Sequence, residues 1–242
     1  MQYPGWTEPE LCRLQMAWES VTPLSAAELA LKGELALGSD NDEAARHLPR
    51  DELFKKRVSW PFYLMMDAPG DQLFCLSYRW DGLQMARAIG RHEPWTVIKP
   101  QTQSIQSGLR KMVNPRSHHW IPWLTLPKII DIIENSVHNE TARQLLLTDI
   151  AIRRFKLRHN GAAPRSLTEL SPDFLKAPSR DPMTGKQLLY RADPDGSYLL
   201  YSTGEDGLDD GGDSTRIDGS PPGLWNGRDV VWPTGGSAPP SP

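Results

Sequence analysis

Residues 187–202 read Gln187-Leu188-Leu189-Tyr190-Arg191-Ala192-Asp193-Pro194-Asp195-Gly196-Ser197-Tyr198-Leu199-Leu200-Tyr201-Ser202, and they decide the fold. Two runs rich in leucine and tyrosine, 187–191 and 197–202, flank Ala192-Asp193-Pro194-Asp195-Gly196. That linker is made of turn residues, so the stretch predicts a β-hairpin. Val230-Val231-Trp232 is a candidate third strand. Upstream the period changes to that of helices. From Asn139, a candidate N-cap, Ala142, Leu145, Leu146, Ile152 and Phe155 form an apolar stripe, interrupted by Asp149 as a half-exposed polar position. Arg153, Arg154, Lys156 and Arg158 crowd the last turns, where positive charge meets the helix dipole, and Gly161 lies just past the end. Ser166-Leu167-Thr168-Glu169 has the form of a capping box and predicts a short helix to about Lys176.

Towards the N-terminus, Thr7-Glu8-Pro9-Glu10 opens a helix running to about Ser20, with an N-cap, an early proline and acids in the first turn. Ser25-Ala26-Ala27-Glu28 opens another, which Gly38 ends after Leu37, and 39–49 read as a polar connector. Helix is expected at 51–56 and at 70–89, where Leu73, Leu76, Trp80 and Leu83 fall at helical spacing, and again near 103–113 and 125–135. Prolines at 61, 69, 94, 100, 115, 122 and 127 punctuate these segments. The chain therefore reads as α+β. A mostly helical region (1–135) precedes a small module (136–234) of one longer helix, one short helix and a three-stranded antiparallel sheet, and 235–242 read as a disordered tail.

The composition narrows the function. At 242 residues the chain makes one large domain or two small ones. Its 38% hydrophobic and 24% charged residues, with mean hydropathy −0.51, are those of a globular protein. No apolar run reaches the roughly 20 residues of a membrane helix, and residues 1–5 do not begin a signal peptide. A net charge of −3 argues against a nucleic-acid binder driven by bulk charge. Cys12 and Cys75 allow one bridge at most, which excludes a disulfide scaffold and a zinc ribbon. Seven of the nine tryptophans precede position 124 and are expected in a helical core.

Charge is unevenly spread. Between Asp193 and Asp229 nine acidic residues face only Arg216 and Arg228, a net −7, and eight of the 19 glycines fall in the same segment. The remainder carries +4. A segment this acidic stays solvated or folds around a cation. From Arg143 to Arg191 ten Lys/Arg outnumber four Asp/Glu. Mutual neutralisation of this basic stretch and the acidic loop inside one domain is the reading preferred to a basic face for an anionic partner or lipid surface.

Residues from about 139 to 232 resemble the C-terminal globular domain of the major pseudopilin of bacterial type II secretion systems. The pieces that carry the resemblance are Phe155-Lys156-Leu157-Arg158-His159-Asn160-Gly161, Pro164-Arg165-Ser166-Leu167-Thr168-Glu169-Leu170, Asp181-Pro182-Met183-Thr184-Gly185, Leu189-Tyr190, Tyr201-Ser202-Thr203-Gly204-Glu205-Asp206-Gly207 and Asp229-Val230-Val231-Trp232, in that order. They cover less than half of the chain. The whole chain also resembles a group of uncharacterised multi-helical bacterial envelope proteins that end in this module. In the pseudopilin family the loop after the second strand holds a structural calcium ion. Asp206 matches one side-chain ligand, Thr203 a position offering its backbone carbonyl, and Asp229 falls in the closing acidic motif. Two departures stand out: 214–227 look like an insertion, and Arg228 stands where an acidic residue is common, leaving Asp209, Asp210 or Asp213 to complete the shell. Calcium takes six to eight oxygens, so clustered carboxylates and a glycine-rich backbone at 204, 207, 211 and 212 suit it independently of the family.

Other candidates read as ordinary structure. Asp193-Pro194-Asp195-Gly196 lacks the remaining ligands of an EF-hand loop. His118-His119, beside Trp120 and Trp123, is the only histidine pair, but adjacent side chains diverge by about 100° on a helix and do not share an ion. Ser166 and Ser202 lack a nucleophile elbow, no phosphate loop is present, and Cys75 reads as packed. The expectation is thus a non-enzymatic, calcium-stabilised structural or interaction module. Its metal ligands are drawn from Thr203, Asp206, Asp209, Asp210 and Asp229, with no catalytic or cofactor residues. If an N-terminal anchor is missing from this chain, its expected setting is the periplasm or cell envelope and its partners are other envelope or secretion proteins. The alternatives are a hydrolase-type enzyme with a site in the Trp-rich helical half, and an N-terminally truncated pseudopilin-type subunit of the secretion system.

Overall fold

The computed structural model describes residues 5–46, 68–112, 129–216, 219 and 223–233; the expectations placed on 51–56, 118–123 and 235–242 lie outside them. Mixed α+β architecture is what they form. The helices are α1 (Glu8–Glu19), α2 (Pro23–Arg46), α3 (Ala68–Gly90), α4 (Trp95–Met112) and α5 (Ile129–Arg158), followed by a 3-10 turn at Leu167–Leu170. Strands β1 (Leu189–Ala192), β2 (Tyr198–Ser202) and β3 (Val230–Trp232) make one antiparallel sheet in the order β1-β2-β3, with a second 3-10 turn, Leu224–Asn226, before β3. The chain divides into two compact units, one of residues 1–23, 92–96 and 137–242, the other of 24–91 and 97–136. No helix among the described residues is long and apolar enough to cross a membrane.

In the first unit the hairpin forms as its turn chemistry requires. Asp193 and Ser197 close it through their backbones, and Asp195 accepts both the N–H (2.8 Å) and the hydroxyl (2.6 Å) of Ser197. Both sheet faces are covered. Leu200 and Val230 join Leu145, Ile152, Leu167, Leu170 and Phe174 in the main core, while Leu199, Tyr201 and Val231 cluster on the other face. Helix α1 belongs to this unit. Glu10 caps it by accepting the Thr7 N–H (2.8 Å). Glu8 Oε1 receives Arg154 Nη2 (2.9 Å) and Arg158 Nη2 (2.8 Å), and Gln15 donates to the Phe174 carbonyl while accepting from Arg154 Nη1. Burial works to raise the Glu8 carboxyl, but the two guanidiniums hold it below the ordinary range.

Helix ends differ from the sequence expectation in four places. Helix α2 runs through Gly38 to Arg46, because Gly38 is a packing position: a Cβ there would collide with the Arg79 guanidinium of α3. Helix α4 begins at Trp95, ahead of 103, and contains Pro100; its first free N–H groups, of Trp95 and Thr96, donate to the carbonyls of Pro182 and Met183. Asn139 is no cap, since Ile129, Ile133, Val137, Thr141, Leu145, Thr148 and Ile152 keep one buried stripe unbroken along a single 30-residue α5. The Ser166 helix shrinks to four residues because Pro172 forces Ser171 into extended backbone, and Glu169 accepts from the Arg165 N–H instead of completing the box.

In the second unit, Glu28 of α2 binds Lys32 (2.9 Å) and Arg87 of α3 (3.4 Å). Helix α3 buries Cys75, Tyr78, Leu83, Met85 and Ile89, whereas Leu73, Leu76 and Trp80, expected to share a face with Leu83, are exposed. Trp6, Trp18 and Trp80 are likewise exposed and only Trp95 is buried, so the described tryptophans of the N-terminal half do not build a common core.

Candidate metal centre

Antiparallel pairing of β2 with β3 sets Ser202 opposite Val230, and one residue further along the same register Thr203 lies beside Asp229. Between them the acidic loop folds back on itself. Gly204, Gly207, Gly211 and Gly212 all take positive φ, from 68° to 82°, as the wrapping loop requires. At Gly212 the need is double, because an added Cβ would also sit 2.5 Å from Leu199 Cδ2.

Asp229 organises this loop. It is 1% exposed, and its Oδ2 accepts the N–H groups of Asp210 (3.1 Å) and Gly212 (2.7 Å). Its Oδ1 is buried with no hydrogen-bond partner, and so is the hydroxyl of Thr203, which is 6% exposed. Burial, reinforced by the charges of Asp209 and Asp210 and opposed by the two N–H donors, pushes the Asp229 carboxyl up to about 6. Asp209 is exposed; its Oδ1 accepts from the Tyr201 hydroxyl (3.0 Å) and the Gly211 N–H (3.0 Å). Burial, with that bond to Asp209, pushes Tyr201 up to about 12. Asp210 Oδ1 faces Arg228 Nη1 at 3.4 Å.

The predicted ligand residues are therefore brought together unequally. Thr203 and Asp229 follow one another in the β2–β3 register and each has a buried side-chain oxygen without a partner; Asp209 and Asp210 lie within electrostatic reach of Asp229. Asp206 is exposed, and its Oδ1 accepts from its own turn, at the Leu208 N–H (3.0 Å). Asp213 is tied to Thr215 by its N–H and hydroxyl and lies 3.7 Å from Arg228 Nε. Among the described residues no three His, Cys, Asp or Glu side chains close into a metal-holding group, so a cation here would also draw on backbone oxygens.

Beside this loop stand two arrangements with no clear mark in the sequence. His138 of α5 places Nε2 2.6 Å from Glu205 Oε1 and stacks on Trp225, with centroids 4.2 Å apart and planes 5° from parallel. It thereby touches the start and the end of the loop. Asp181, 2% exposed, accepts from the Met183 N–H (2.9 Å), the Ser202 hydroxyl (2.8 Å) and the Thr203 N–H, and burial raises its carboxyl against those bonds. Ser202 is fully buried and serves as a donor that fixes β2 to the Asp181 turn.

Several cations of the basic stretch are paired inside the same unit, mostly with carboxylates outside the loop. Arg154 and Arg158 pair with Glu8, Arg153 with Asp149 (2.9 Å) and Arg143 with Glu140 (2.6 Å), while Arg191, 3.7 Å from Asp193, and Lys156, which donates to the Gly196 carbonyl (2.8 Å), reach the acidic segment. No family model, curated protein or solved structure matches this chain.

Proposed function

We propose that the β2–β3 loop binds calcium and that the unit carrying it is a non-enzymatic structural or interaction module of the bacterial cell envelope, akin to the globular domain of the major pseudopilin. The observation that carries this reading is Asp229 Oδ1, a buried carboxylate oxygen without a donor, in a loop of further carboxylates and beside the buried, unpartnered Thr203 hydroxyl. A divalent ion at these oxygens neutralises Asp229 and draws in Asp209 or Asp210, fixing the loop against β2 and β3. The helix–hairpin–strand order and the resemblance in sequence add support for the architecture. Asp206, turned into its own Asx turn, joins the shell only if that turn opens.

Thermal unfolding of the purified chain in calcium, in magnesium and in chelator tests the proposal. At free calcium one hundred times the dissociation constant, a single native-state site adds roughly 2.7 kcal/mol. A rise in the midpoint that magnesium does not reproduce is the expected result. Superimposable curves in calcium and chelator would remove the metal and leave an acidic loop held by hydrogen bonds alone.

A further inference from the structure

Arg228 directly precedes buried Asp229 and brings its guanidinium to the same loop, with Nη1 3.4 Å from Asp210 Oδ1 and Nε 3.7 Å from Asp213 Oδ2. These are long contacts, and the Arg228 side chain is 54% exposed, so the pairs are weak and displaceable. Arg228 nevertheless holds Asp210, one of the two carboxylates whose charge bears on Asp229, and it leaves Asp229 Oδ1 without a donor. The loop thus shows two different demands for positive charge. One is met at its rim by a side chain of the chain itself; the other lies inside, where that side chain does not reach.

We propose that Arg228 is a tethered counterion that competes with a divalent cation for the acidic loop and so sets the affinity of the site, an inference that rests on the calcium reading above. Two effects act in the same direction. Asp210 cannot serve the guanidinium and an inner cation equally, and a fixed positive charge close to the ion repels it. On binding, Arg228 moves into solvent, which its half-exposed position permits without unburying anything. In the ion-free protein it offsets part of the loop's charge, so the loop keeps its shape while the inner position awaits a cation.

Calorimetric titration of the full chain with calcium chloride tests this, using the wild type, Arg228→Gln, Arg228→Lys and, as a control for net charge, Arg13→Gln on α1. Arg228→Gln is expected to bind roughly tenfold more tightly, the order set by removing a unit charge near the ion. Arg228→Lys and Arg13→Gln should stay near the wild type, and the gain should shrink at high salt. Wild-type binding with an unchanged or weaker Arg228→Gln overturns the competition and leaves the calcium site standing, as does an equal gain in Arg13→Gln. Binding by Arg228→Gln alone supports the competition and makes Arg228 a block. Binding by neither protein removes both the competition and the calcium site.

Discussion

Asp229→Asn separates the burial of a charge from the need for a cation. Without calcium, burial and the charges of Asp209 and Asp210 push the Asp229 carboxyl up to about 6, against an ordinary value of 3.8. Keeping it ionised at neutral pH then costs the fold about 3 kcal/mol, at roughly 1.4 kcal/mol per unit. A carboxyl raised in the native state binds its proton there first, so its contribution to stability is greatest below about pH 4 and is lost as pH climbs through 6. Asparagine keeps one oxygen for the Asp210 and Gly212 N–H groups, but its NH2 takes the place of unpartnered Oδ1 and costs about 1–2 kcal/mol. In chelator at neutral pH the variant should therefore be the more stable by about 1 kcal/mol. Its stability should also lack the wild-type fall between about pH 4 and 6; buried Asp181 slopes the same way in both proteins and cancels in the difference. In calcium the order should invert, because only the wild type gains. Urea unfolding followed by circular dichroism across that pH range, with calcium and with chelator, reads all of this. A variant less stable than the wild type in chelator would show that the hydrogen bonds to Oδ2 outweigh the buried charge, and an equal calcium response in both would take Asp229 out of the ligand set.

Three other substitutions probe the frame around the site. Glu8→Ala leaves Arg154 buried with Gln15 as its remaining acceptor and should cost about 2–3 kcal/mol in urea unfolding; a loss under about 0.5 kcal/mol, the range of a surface pair, would mean that water replaces Glu8. Gly212→Ala combines a φ of 82° with a Cβ 2.5 Å from Leu199 Cδ2 and should cost about 2–3 kcal/mol while weakening calcium binding; an unchanged melting temperature would refute the close approach. Tyr198→Phe removes the hydroxyl that donates to buried Asp149 and should cost about 1–2 kcal/mol by the same assay, with Arg153 still paired to that carboxylate; no change would place the bond outside the stabilising set.

What was legible in the sequence was local. The hairpin follows from Asp193-Pro194-Asp195-Gly196, and the end of α5 from Gly161, which takes positive φ, because each turn is decided by its own few residues. Gly38 is the counter-case. The same residue type that ends α5 sits inside α2, since the reason for it is Arg79 on another helix. The buried face of α3 is decided in the same way: Leu73, Leu76 and Trp80 have helical spacing yet are exposed, because helical spacing alone does not say which stripe meets the core. His138 meeting Glu205 and Trp225 is a tertiary pairing and left no pattern to find. Of the acidic loop, the sequence revealed the accumulation of charge but not its division into exposed Asp206 and buried Asp229.

That division is where a comparison of Asp229 with Asp181, the other aspartate buried beside the sheet, becomes informative. Asp181 and Asp229 are almost equally enclosed, at 2% and 1% exposure, and both anchor turns at the sheet. Asp181 does so with both oxygens satisfied, Oδ1 by the Met183 N–H and Oδ2 by the Ser202 hydroxyl. Asp229 gathers its two N–H donors on Oδ2 and leaves Oδ1 bare. A carboxylate whose task were only to brace the loop would be built like Asp181, because an unsatisfied buried oxygen costs about 1–3 kcal/mol. The Asp229 side also differs in what surrounds it: two further carboxylates and a second bare oxygen, that of Thr203, where Asp181 has hydroxyl and amide donors. A missing donor beside like charges is the arrangement a bound cation repairs, and a missing donor among neutral donors is not. The same register that forms the sheet, Ser202 opposite Val230, is what brings Thr203 to Asp229, so the site and the fold rise from one strand pairing.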